Sequence, residues 1–129
     1  MTDAEKYLKK LCEYILESLN KLDIYPENIT TEDRAIEKYW SLNIKFDTKC
    51  LGEPLKDDDG NIFKKFLRET VSEFLNSNTP GMLPKGTGRC EIFMITAQPW
   101  NNGSIADKWK GVDTISFSIF LRHFKSGGK

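Results

Sequence analysis

The sequence predicts an α+β fold: three long strands in one sheet, antiparallel or mixed, with two long amphipathic helices packed on one face. Three observations carry this. Two segments repeat apolar residues at three- and four-residue spacing, the period of one helix face. Two others alternate apolar and polar residues, and a third between them is apolar on both sides, which are strand patterns. The chain has 129 residues, 39% of them hydrophobic and 12% aromatic. That suits one domain with a real core, and residues 1–129 are read as a single globular unit with a frayed tail at 126–129.

Helix one spans 3–22. Leu8, Leu11, Cys12, Ile15, Leu19 and Leu22 fall on one face. Thr2 followed by Glu5 fits a capping box, and Pro26 lies just past the end. In the next segment Thr31 could cap a short helix over Glu32 to Lys38. Strand one spans 39–50, where Trp40, Leu42, Ile44 and Phe46 alternate with Ser41, Asn43, Lys45 and Asp47. A polar connection follows, with Pro54, Asp57, Asp58, Asp59 and Gly60.

Helix two spans 61–76 and carries Phe63, Phe66, Leu67, Thr70, Val71 and Phe74 on one face. It ends in the breaker residues Asn76 to Gly81. The loop 82–88 is rich in Gly and Pro. Strand two spans 89–98, with Cys90, Ile92 and Met94 on one face and Phe93, Ile95 and Ala97 on the other. Pro99 is expected to end its pairing. Asn101, Asn102 and Gly103 form a turn, and Ser104 with Asp107 suggests a capped helical turn closed by Gly111. Strand three spans 113–124, with Ile115, Phe117, Ile119 and Leu121 facing the core. The segment 39–98 is long enough for a crossover connection, while strands two and three could pair antiparallel. The expected core comprises Leu8, Leu11, Ile15, Leu19, Trp40, Leu42, Ile44, Phe66, Val71, Ile92, Met94, Ile115, Phe117 and Ile119.

Composition narrows the function. The chain holds 19 basic and 19 acidic side chains, for a net charge of zero. The neutrality hides a dipole: residues 1–78 carry 16 acids and 12 basic groups, residues 79–129 carry 3 and 7. No stretch approaches the roughly 20 apolar residues of a membrane span. Asp3, Glu5, Lys6, Lys9 and Lys10 are unlike the apolar start of a signal peptide. Cys12, Cys50 and Cys90 stand alone, without metal or disulfide spacing. A cytoplasmic protein with reduced thiols is the expectation.

No catalytic or metal pattern emerges, and no enzyme activity or cofactor is expected. The sole His, His123, lies in phase with the core face of strand three and reads as a strand-end residue. The run Asp57-Asp58-Asp59-Gly60-Asn61 resembles a calcium loop, but with Gly60 at position six the end positions become Leu55 and Phe66, which cannot ligate. Glu69 and Glu73 read as a solvated helix flank. The loop from Leu83 to Arg89 offers two glycines, Lys85 and Arg89 to an anion, but it leads into a strand rather than a helix.

The sheet face away from the helices is more informative. Strand three places Ser116, Ser118, Phe120, Arg122 and Phe124 there, joined by Phe93 and Ile95 of strand two. Either residues 23–38 or the 99–111 loop cover this face, or it meets a partner. The leading expectation is a non-catalytic protein that binds another protein or itself: an inhibitor, an immunity or adaptor protein, or a phage or assembly component. Phe120, Arg122 and Phe124, with Trp100 or Trp109, would be the anchors. The alternative is nucleic-acid binding through Lys85, Arg89, Lys108, Lys110, Arg122 and Lys125. Phe120, Phe124 and Trp109 would then stack bases.

Overall fold

The computed structural model describes residues 2–34, 39–50, 60–77, 83–107 and 111–125. The elements run α1 (Asp3–Asn20), β1 (Asn28–Arg34), β2 (Tyr39–Asp47), α2 (Asn61–Ser77), β3 (Thr87–Asn101), β4 (Ser104–Ile105) and β5 (Thr114–Lys125). The five strands form one sheet in the order β1-β2-β5-β3-β4, and every pair is antiparallel. The α+β class therefore holds, but the described residues form five strands where the sequence suggests three.

Local chemistry sets the helix ends. At the start of α1 the Glu5 N–H donates to Thr2 Oγ1 at 3.1 Å, and the Thr2 N–H donates to Glu5 Oε1 at 3.4 Å. Both satisfy donors that the first turn leaves unpaired. At the other end Asp23 takes a left-handed conformation, φ 58°, which lets the Ile24 N–H reach the Leu19 carbonyl at 3.0 Å. Leu19 and Ile24 are both buried, the apolar contact that accompanies this kind of helix ending.

Four expectations need correction. Residues 32–34 belong to β1, not to a short helix; residues 35–38 lie outside the described residues. Ile29, Thr31 and Asp33 pair with Ile44, Leu42 and Trp40, so the strand alternates, but its single apolar residue gives almost no pattern to read. Ser104 and Ile105 pair with Asn101 and Trp100 rather than starting a helical turn. Asn102 and Gly103, at φ 52° and 80°, make the hairpin turn between them, a geometry that suits an Asn-Gly pair. Pro99 does not end β3: it sits opposite Ile115, and pairing continues to Trp100 and Thr114. Its carbonyl accepts the Ala106 N–H at 3.0 Å, so its backbone faces away from β5 and its missing N–H costs that ladder nothing. Finally, the register slips between Ile92 and Met94. This bulge turns Met94 out of the expected core, where it is 41% exposed, and keeps Ile95 inside at 7%.

The core lies between the sheet and the helices. Tyr7, Leu8, Leu11, Ile15 and Leu19 of α1 and Phe63, Leu67, Val71 and Phe74 of α2 bury against the sheet. Its core face offers Trp40, Leu42, Ile44 and Phe46 from β2 and Ile115, Phe117, Ile119 and Leu121 from β5. Phe63 is the peg of α2. Its ring centre is 5.0 Å from Phe46 and 4.7 Å from Phe117, within the range of favourable aromatic pairs.

Candidate interaction surface

The opposite face of the sheet is open among the described residues. Residues 28–34 extend one edge as β1, and the short β4 extends the other, so neither described segment folds across it. Cross-strand register decides which side chains meet there. Arg89 lies opposite Phe124, Glu91 opposite Arg122 and Met94 opposite Phe120. Tyr39 of β2 lies opposite Arg122 from the other side.

These residues make a continuous patch. The Arg122 guanidinium stands 4.3 Å from the centre of the Phe93 ring, and that of Arg89 stands 4.2 Å from the Phe124 ring. Tyr39 stacks on Phe93 at 6.4 Å and meets the edge of Phe120 at 5.9 Å. The bulge is what brings Phe93 and Met94 out together, because an extra residue breaks the strict alternation of faces. Phe93 is 49% exposed. Arg89 and Glu91 put both signs of charge on the patch.

Beyond it the face turns polar. Asn43 Nδ2 donates to Ser118 Oγ at 2.9 Å. At the far end Trp100 Nε1 donates to Ser116 Oγ at 2.8 Å, with Lys45 Nζ 5.6 Å from the Trp100 ring centre. Trp100 therefore shares the face but stands apart from the patch.

Of the nine expected site residues, Arg89, Phe93, Phe120, Arg122 and Phe124 come together. Lys125 is exposed at the end of β5, opposite Thr87. Lys85 is exposed in the turn before β3 and lines a furrow with Lys6 and Lys10 of α1. Trp109, with Lys108 and Lys110, lies outside the described residues, as does the acidic run 57–59. Ile95, expected on this face, is buried on the other. Tyr39 and Met94 were missed. Tyr39 was findable, since it continues the polar phase of Ser41 and Asn43; Met94 needed the bulge.

On the core side, His123 lies opposite Cys90. Its ring is stacked on Trp40, centres 4.4 Å apart. Its Nε2 is buried without a hydrogen-bond partner among the described residues. Burial lowers the His123 pKa, and the charge of Asp33 opposes this with a smaller effect. Burial, with the nearby Glu91 charge, pushes the Cys90 thiol up to about 12. Burial and Cys90 push Tyr7 up to about 12 as well. A thiol so raised stays protonated at neutral pH and is a poor nucleophile, since the thiolate is the reactive form. Cys12 is pushed up to about 11, again by burial and then by Glu13. Glu69 and Glu73 are both exposed. A hydrogen bond to Glu73 is the main cause raising Tyr14. No group of three or more His, Cys, Asp or Glu residues converges among the described residues. Among the described residues no helix is long and apolar enough to cross a membrane.

The chain matches no family model, no curated protein and no solved structure.

Proposed function

We propose that this protein binds another protein through the open face of its sheet, with Phe93, Met94, Phe120 and Arg122 at the centre of the contact and Tyr39, Arg89 and Phe124 around it. The observation that carries this reading is the half-exposed pair Phe93 and Met94, continuous with three further aromatic rings and two arginines. Aromatic residues, Met and Arg are the types enriched at interface centres. Arginines already held over ring faces lose little freedom when a partner arrives. The test is capture and then measurement. A photo-crosslinking amino acid at position 93 identifies the bound protein in the native cell, and titration calorimetry follows with purified partner. Phe93→Ala and Arg122→Ala each weaken binding by about thirtyfold or more, the level of a hot spot. Unchanged affinity in both variants refutes the reading.

A second reading, single-stranded nucleic acid, is favoured by one observation: register sets Arg89 and Arg122 at the same end of the sheet, next to Phe120 and Phe124. It predicts binding to a labelled single strand that falls steeply with salt, with a smaller slope in Arg89→Ala. The net charge of zero and the acidic Glu91 within the patch place it second.

A further inference from the structure

β3 has β5 along one side, but on its other side β4 reaches only Trp100 and Asn101. From Thr87 to Gln98 that outer edge carries no strand among the described residues. Backbone groups alternate between the two edges along a strand. The residues of β3 that face the core share the phase of Pro99, whose carbonyl points outward to Ala106. Cys90, Ile92, Ile95 and Ala97 therefore direct their N–H and C=O groups to the open edge. The other edge of the sheet, β1, carries Glu32 and Asp33, the charges with which proteins blunt an exposed strand. β3 has no charged side chain between Ile92 and Asn101.

We propose that two copies of this chain pair through β3, antiparallel and about a twofold axis at Cys90, so that their two five-stranded sheets become one. The charges choose the axis. A twofold axis at Cys90 sets Arg89 of each copy opposite Glu91 of the other, two opposite-charge pairs on the open face. Moving the axis to Ile92, the next outward residue, sets Glu91 opposite Phe93 and gives neither charge an opposite partner across the new ladder. Opposite charges directly across a ladder favour a register and like charges oppose it. The same axis sets Gly88 opposite Ile92. An open groove of about 250 Å³ runs beside this stretch, lined by Arg68, Ser72, Leu75 and Asn76 of α2 and by Cys90, Glu91 and Ile92. A glycine entering there brings no side chain against Leu75. The net charge of zero adds no long-range repulsion between copies.

The pairing is isologous, so each charge acts twice. Light scattering of the whole protein at low salt, up to about 0.5 mM, reads the dissociation constant directly. The expected mass is twice 14.9 kDa. Arg89→Glu and Glu91→Arg each place like charges opposite one another and weaken the dimer by about tenfold or more. Both substitutions together restore the pairing with the signs exchanged. Circular dichroism confirms that each variant, altered only at an exposed position, is folded. A monomer at the highest concentration overturns the proposal. So does a dimer that both single variants leave intact, or one that the double variant fails to restore.

Discussion

His123 packs flat on Trp40 with its Nε2 sealed from water among the described residues. Protonating it would bury a charge beside an aromatic ring and a protonated thiol, and the charge of Asp33 compensates only in part. That is why its pKa falls below the ordinary 6.5 in the folded state. The sign of the linkage follows. The unfolded chain binds the proton more readily, so stability is full above the unfolded value and is lost as pH drops through about 6.5 toward the folded value. Urea unfolding between pH 7 and pH 5 should show the midpoint falling with pH in the native sequence. His123→Phe keeps a ring against Trp40 and removes the proton site, so its midpoint should stay flatter over the same interval. Equal slopes would mean that the imidazole does not carry this pH dependence. The sequence placed His123 in phase with the core face because strand alternation continues past Leu121. It gave no sign of Trp40, since that contact is made across strands far apart in the chain.

Elements read from the sequence in proportion to how strongly one face is apolar. α1 and α2 present unbroken stripes, and β2 and β5 alternate cleanly, so their positions were legible to within a few residues. β1 and β4 are edge strands, short or polar, and what makes them strands is a neighbour's backbone rather than their own side chains. The bulge in β3 was illegible for the same reason: it is a mismatch between two strands, and neither one shows it alone. Hence the alternation of the apolar run from Ile92 to Ala97 gives the wrong phase beyond Phe93, and Met94, Ile95 and Ala97 lie on the faces opposite to those expected. The patch was legible where it rests on antiparallel pairing of one strand's start with another's end, as for Arg89 and Phe124. The energetics of the elements divide along this line. Phe63 has no exposure and fits between Phe46 and Phe117, so Phe63→Ala should cost about 3–5 kcal/mol. Met94 projects from the bulge into the open face, so Met94→Ala should cost less than about 1 kcal/mol. Chemical denaturation at neutral pH reads both, and similar losses for the two would contradict the assigned faces.

At the scale of the whole molecule, the last strand in the sequence is the central strand of the sheet. β5 pairs with β2 on one side and β3 on the other. It supplies Ile115, Phe117, Ile119 and Leu121 to the core. Its contacts with β2 are remote in sequence: the bond from Asn43 to Ser118 spans 75 residues. Without β5, β1 and β2 are a two-stranded hairpin under α1, and β3 is left with only the two residues of β4. Such pairs are marginal in water, and the aromatic seat of Phe63 loses Phe117. The sheet therefore closes only when β5, already next in the chain to its neighbour β3, joins β2 from much earlier in the sequence, at a loop-closure cost that slows folding. A chain ending at Asp113 should show no cooperative thermal transition. Native-state hydrogen exchange gives the graded version of the same claim. Amides of Phe117 and Ile119, bonded within a strand that has neighbours on both sides, should open only with global unfolding, and their protection should match the stability measured by denaturant. Amides along β1 should exchange faster, through local fraying of an edge held on one side. Equal protection in β1 and β5 would show that the edge does not open independently, and that the sheet behaves as one cooperative unit from Asn28 to Lys125.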